Sequence, residues 1–217
     1  RIRSGKLSAV SLVEALLARI DSLDSKVKAW VSVDRAGALK SARQRDAEAR
    51  AGRFRGLLHG VPVGLKDIYH VAGMLTTAGA RPFAHERATE DAESVARLRQ
   101  AGAIILGKTA TTEFAYLDPA ETRNPWNLEH TPGGSSSGSA AAVASRMVPL
   151  ALGSQTVGST LRPAAYCGAI GLKPTYGRIS CRGVVPLAWS LDHVGIFCRS
   201  VADAALALQL LAGHDAG

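Results

Sequence analysis

Aromatic residues make up only 5% of this 217-residue sequence, and Tyr69, Phe83 and Tyr116 do not interleave with basic residues as a base-stacking platform would require. Cysteine is scarce as well. Cys167, Cys181 and Cys198 are an odd number, with no C-x-x-C spacing and no accompanying pair of histidines. That argues against a disulfide framework and against a zinc site, so buried thiols and no metal are expected. No apolar run approaches the ~20 residues that cross a bilayer, and the opening Arg1-Ile2-Arg3-Ser4-Gly5-Lys6 is not followed by the apolar core of a signal peptide. A cytoplasmic protein with no membrane association is expected. Acidic residues are outnumbered, 18 against 26 basic ones, for a formal charge of +8. The bases are nevertheless scattered among acids through residues 35–55 and 81–99, which describes a solvated surface rather than a nucleic-acid tract.

What is present is enough hydrophobic residue, 47%, to bury a core as one domain over residues 1–217. Ser11 and Glu14 read as a capping box, with Leu12, Val13, Leu16, Leu17 and Ile20 forming one helical stripe behind it. A second helix is expected over 34–51, broken by Gly52, Gly56 and Gly60, and then a short strand over 61–66. Residues 91–101 read as helix, 103–106 as buried strand, and a further helix is expected from about Thr111. An Ala-rich helix over 139–144, a strand over 147–152, a turn over 153–159 and a helix beginning near Pro163 follow. Ser200 and Asp203 cap a last helix through Leu211, stopped by Gly213. Alternation of this kind means α/β.

Several segments carry chemical signals. Gly102, Gly107, Lys108 and Thr109 fit the phosphate-loop letters G-x-x-x-x-G-K-[ST], but the residues between the glycines are apolar and follow a helical stretch, which argues against an open phosphate cradle. Thr131-Pro132-Gly133-Gly134-Ser135-Ser136-Ser137-Gly138 is too closely tied to an Ala-rich helix to be a linker, so its backbone is expected to be shaped for a function. Ser159 stands between a strand and a helix, where consecutive amides can converge as in an oxyanion hole; an ordinary N-cap serine is the competing reading. Lys66 ends the apolar run Val61-Pro62-Val63-Gly64-Leu65. If it is carried inside, it loses proton affinity and can serve as a base; if not, it is a surface lysine at a strand end. None of His59, His70, His85, His130, His193 and His214 stands in a recognisable triad context, although Ser190-Leu191-Asp192-His193-Val194-Gly195 reads as a turn.

Taken together, residues 59–67 (His-Gly-Val-Pro-Val-Gly-Leu-Lys-Asp), 132–140 (Pro-Gly-Gly-Ser-Ser-Ser-Gly-Ser-Ala) and 154–175 resemble the amidase signature family in content and order. The resemblance implies a mixed sheet flanked by helices on both faces and hydrolysis of a small-molecule amide, releasing ammonia or an amine, without a cofactor. It implies Lys66 as neutral base, Ser135 in a cis peptide as proton relay, Ser159 as nucleophile, and the amides of Thr156, Val157, Gly158 and Ser159 as oxyanion hole. Ser136 would stand among the substrate contacts.

Many members carry Asp-Thr-Gly-Gly-Ser before the nucleophile, whereas here Gln155-Thr156-Val157-Gly158-Ser159 is found, with an arginine three residues on, Arg162. This is similar to the subgroup containing malonamidase, and implies that Arg162 clamps an acidic substrate, a structural ion pair being the alternative. Two other readings stand: the ammonia-generating subunit of a transfer-RNA amidotransferase, working with partner chains, and an inactive binding module. The resemblance leaves room for homo-oligomers. The family's domain normally runs well past Leu211, so the chain reads as its amino-terminal portion.

Overall fold

The apolar stripe of the first helix decides how the chain begins to pack. In the computed structural model, which describes residues 1–213 apart from Ala84 and Glu86, α1 (Ala9–Val27) turns Val13, Leu17 and Ile20 inward. Its N-cap is Ser8 rather than Ser11: the Ser8 hydroxyl accepts from the Ser11 amide, so the helix starts one turn earlier than the capping-box letters predict. α2 (Arg35–Arg50) is capped by Asp34, and its Asp46 accepts hydrogen bonds of 2.7 and 3.1 Å from the Ala9 and Val10 amides. A carboxylate at the positive end of α1 thus locks the two helices together.

Six strands form one mixed sheet: β1 (Trp30–Val33), β2 (Pro62–Lys66), β3 (Ile104–Thr109), β4 (Leu150–Gln155), β5 (Ile170–Leu172) and β6 (His193–Cys198), in the order β1-β3-β2-β4-β6-β5. β3, β2 and β4 run parallel in the middle, while β1, β6 and β5 pair antiparallel with their neighbours. The central strands are buried along their whole length, as parallel strands covered on both faces must be. Side-chain alternation divides them between two cores. Val63, Leu65, Leu150 and Leu152 pack beneath α3 (Glu93–Gln100) and α6 (Val201–Leu211). Ile104, Leu106 and Ala151 pack on the other face, against α1, α2, α4 (Ser137–Ala144) and α5 (Leu161–Cys167). The fold is therefore α/β, with helices on both faces of the sheet.

α4 explains the small residues of its segment. It is buried from Ser137 to Val143, and a Cβ at Gly138 would run into the Ala29 carbonyl and the Ala110 amide. Gly153 of β4 is under the same constraint, since a Cβ there would lie 2.5 Å from Ser136 Oγ and 2.6 Å from the Phe197 ring.

Three expectations are corrected. No helix forms from Thr111; a single 3-10 turn spans Glu113–Ala115, because Phe114 and Ala115 have positive φ and the amides of Thr112 and Phe114 bond to the carbonyls of Ser135 and Ala78. The strand expected over 147–152 runs over Leu150–Gln155, since pairing with β6 extends through Gly153 to Gln155, where local sequence suggested a turn. Only Ser190 to Asp192 of the supposed turn lies outside β6, which begins at His193. Among the described residues no helix is long and apolar enough to cross a membrane. No disulfide joins the described residues; Cys167 and Cys198 are buried thiols, and burial pushes Cys167 up to about 12.

Lys108 shows why the phosphate-loop letters do not describe a phosphate loop. It lies inside β3, fully buried, and its ammonium donates to Asp67 at 2.7 Å, the Leu75 carbonyl at 3.0 Å and Thr76 Oγ1 at 3.0 Å. Asp67 also accepts from the Thr77 amide at 3.2 Å and from the Thr77 hydroxyl, so the pair anchors the segment after β2. Lys108→Ala strands a carboxylate in the core. It is expected to reduce unfolding free energy by roughly 3–5 kcal/mol, measured as a lower urea midpoint; an unchanged midpoint would show that water reaches the site.

Candidate active site

Two parallel strands bring distant polar residues to one edge. Lys66 is the last residue of β2, and Ser154 and Gln155 end β4 beside it. A crevice at the carboxyl ends of neighbouring parallel strands is where open α/β sheets place ligands. The Lys66 side chain is fully buried, and its Nζ donates to Ser135 Oγ at 2.6 Å and to Ser154 Oγ at 2.7 Å. Burial lowers its proton affinity to about 7, partly opposed by the negative charge of Asp192.

The Gly134–Ser135 peptide bond is cis. Ser135 is fully buried, its carbonyl accepts from the Thr112 amide at 3.2 Å, and Ser137 Oγ donates to the Gly133 carbonyl at 2.8 Å, so the serine loop is held from both sides. Ser136, expected among the substrate contacts, is turned inward. Its side chain is fully buried, donating to the Ser154 carbonyl at 3.2 Å and accepting from the Ser154 amide at 3.1 Å. Its hydroxyl staples the serine loop to β4.

Ser159 sits at the bend between β4 and α5, 8% exposed, and its carbonyl accepts from the Ser136 amide at 3.3 Å. The bend is thereby tied to the loop that carries Ser135. The amides of Val157, Gly158 and Ser159 donate to no acceptor among the described residues. Gln155 accounts for the turn: its Oε1 accepts from the Thr160 and Leu161 amides, 2.9 Å each, and caps α5 from the preceding strand. Thr156 donates its hydroxyl to Asp192. Arg162 projects to the surface yet bends back, its Nε and Nη2 donating to the Gly134 carbonyl at 3.2 and 2.8 Å. It brackets the cis peptide from outside.

A cavity of about 240 Å³ opens beside Ser154, lined by Ile68, Ala115, Val184, Val185, Leu187 and Trp189, among others. A larger one, about 540 Å³, lies at the opposite end of the strands near Val61 and Leu150, with none of these polar residues in its wall. Chemistry, rather than size, selects the smaller. None of the described histidines hydrogen-bonds to Ser135 or Ser159: His59 lies between the Arg55 amide and the Arg45 carbonyl, and His193 Nδ1 meets the Gln155 carbonyl at 3.1 Å. His214 lies outside the described residues. Sequence reasoning missed Ser154 and Asp192. Ser154 reads locally as part of a turn rather than as the end of a buried strand; Asp192 lay in the one turn that had drawn notice through its histidine.

A buried amine thus stands between the Ser135 and Ser154 hydroxyls, beside a turn whose amides meet no acceptor among the described residues, and no described histidine joins them. Residues 11–217 match the family model described as Amidase, and the chain belongs to that family. It is 48% identical over 217 residues to a glutamyl-tRNA(Gln) amidotransferase subunit from Roseiflexus castenholzii, an alignment covering 97% of this chain and 44% of that protein. Among solved structures it resembles the native peptide amidase from Stenotrophomonas maltophilia, with TM-score 0.95 and 43% identity over 100% of this chain and 47% of that one. It also resembles a 6-aminohexanoate cyclic dimer hydrolase, with TM-score 0.90 and 36% identity over 100% of this chain and 45% of that one. The chain thus spans less than half the length of these relatives.

Proposed function

We propose that the chain carries the catalytic residues of an amidohydrolase that cleaves the C–N bond of a small carboxamide through an acyl-enzyme on Ser159. The observation that carries this reading is a fully buried lysine, with proton affinity lowered to about 7, held 2.6 Å from Ser135 Oγ. A serine hydroxyl at its own pKa is a weak nucleophile and needs a base within reach. Neutral Lys66 takes the Ser135 proton as Ser135 takes that of Ser159, and Ser159 Oγ attacks the substrate carbonyl. The oxyanion settles on the amides of the turn from Thr156 to Ser159, each such donor contributing about 3 kcal/mol. As the tetrahedral intermediate collapses, Ser135 returns the proton to the departing nitrogen, and ammonia or an amine leaves. Water, deprotonated through the same relay, then releases the carboxylic acid. The steps require no metal or organic cofactor.

Mapping a fluorophosphonate probe by mass spectrometry tests the reading without a known substrate. Modification confined to Ser159, and absent from Ser159→Ala, is the expected result; a folded protein modified elsewhere or not at all overturns it.

Arg162 is proposed to add specificity. Its bonds to the Gly134 carbonyl use two of the five guanidinium N–H donors, and the rest can meet an acidic group on the substrate. Arg162→Ala is expected to raise KM for acidic amides by roughly tenfold or more, with neutral amides affected less. An equal loss on both would assign the arginine to the serine loop alone.

The amidotransferase reading draws on the 43–49% identical relatives, which are named as glutamyl-tRNA(Gln) amidotransferase subunits. It predicts that glutamine is the amide hydrolysed and that turnover depends on partner chains, which a comparison of glutamine with acidic amides for the isolated protein decides.

A further inference from the structure

We propose that Asp192 is a positioning residue of this site, whose carboxylate bridges the Thr156 hydroxyl to the Leu187 and Ala188 amides and so fixes the amide turn before Ser159 against the loop that walls the small cavity. The proposal rests on the triad reading above. The two carboxylate oxygens divide the work: Oδ1 accepts from Thr156 Oγ1, while Oδ2 accepts from Leu187 at 2.8 Å and Ala188 at 3.0 Å. The second pair of bonds alone would be a local loop staple, since Asp192 also donates its own amide to the Ala188 carbonyl at 2.9 Å. The first bond crosses to another element. Thr156 is the first residue beyond β4 and Asp192 the last before β6, and Gln155 opposite His193 is the final pair of that ladder. The carboxylate therefore continues the β4–β6 connection one step past the last backbone pair, where the chain turns to present the amides of Val157, Gly158 and Ser159. Anionic acceptors make the stronger hydrogen bonds. A carboxylate is thus suited to hold a turn whose own amides remain unengaged.

The same residue shares a cavity wall with the serine that holds the proposed base. Asp192 and Ser154 both line the small cavity, and Ser154 is hydrogen-bonded to Lys66. The other titratable groups around this end of the site are Tyr69, whose hydroxyl donates to the Gly153 carbonyl at 2.5 Å, Cys181 and His193 in the cavity wall, and Asp67, paired with Lys108. Tyr69 is kept neutral by burial, and Asp67 and Lys108 offset one another. Asp192 is the charge that raises the proton affinity of Lys66 against burial. Neutralising it removes a nearby negative charge that favours the ammonium form, so the base should lose its proton at lower pH.

The test compares the full natural protein with its Asp192→Asn and Thr156→Val variants by two readouts, hydrogen exchange and the pH dependence of fluorophosphonate labelling at Ser159. Asp192→Asn is expected to exchange faster at 156–159 and 187–188, to label at least tenfold more slowly on the plateau, and to shift its acid limb to lower pH. Thr156→Val keeps the carboxylate. It is expected to exchange faster at 156–159 and label more slowly with its acid limb in place. Unchanged exchange at both segments in Asp192→Asn overturns the bridge whether or not Ser159 is labelled. Slower labelling with an unmoved acid limb overturns the link to Lys66. Failure of the triad reading looks different, since the unsubstituted protein itself would then not be labelled.

Discussion

Ser159→Ala is expected to lower amide turnover by on the order of 10⁴-fold or more, because removing the nucleophile abolishes the acyl-enzyme route and leaves only binding and oxyanion stabilisation. That factor corresponds to about 5.5 kcal/mol of transition-state stabilisation. Thermal stability should hardly change. Ser159 is joined to its surroundings through its backbone, whose carbonyl accepts from the Ser136 amide, and the neighbouring turn is held by Gln155 and Thr156 side chains that the substitution leaves in place. The measurement is steady-state turnover of an amide panel beside a thermal melt. Retained turnover in a folded Ser159→Ala protein would remove Ser159 from the mechanism.

Lys66 should show itself through pH as well as through substitution. It must be neutral to act, and its proton affinity is lowered to about 7 by burial. Log kcat/KM is therefore expected to rise with unit slope below about pH 7 and to level off above it, since a free lysine, with a pKa of roughly 10.4, would place that limb more than three units higher. Lys66→Met retains the stem of a side chain that has no exposed surface, so the strand should stay packed. Turnover in that variant is expected to fall by roughly 10⁴-fold, with loss of the acid limb in whatever activity remains. An acid limb near 7 that persists in Lys66→Met would have to belong to another group.

Much of this architecture was legible locally. The strand ending at Lys66, the helix over 34–51, the Ala-rich helix after the serine loop and the cap at Ser200 all follow from periodicity, glycine breaks and capping letters, because such features are set by residues within one turn of each other. Thr111 shows where that kind of reading stops: its helix fails because Ser135 and Ala78, distant in the chain, supply the acceptors for the amides of Thr112 and Phe114. Gly153 to Gln155 likewise read as a turn until β6 lay beside them.

The site divides along the same line. Its residue types and their order stood in three separated motifs, enough to suggest the family. Whether Lys66 was a surface cap or a buried amine could not be read from its neighbours, since proton affinity depends on what covers the side chain, and the cover comes from the serine loop and β4. Residue chemistry alone does not separate Ser135 from Ser136, adjacent and alike, and it was the family resemblance that assigned the relay to Ser135; in the fold one meets Lys66 while the other is tied to the Ser154 backbone. The sequence by itself determined the α/β class, the motifs and the chemistry they permit, because patterns of polarity and backbone freedom are local. Only the tertiary structure decided how completely the amine is covered and that Ser154 also meets it, what Asp192 holds and where Arg162 bends, because burial and hydrogen bonding join residues tens of positions apart.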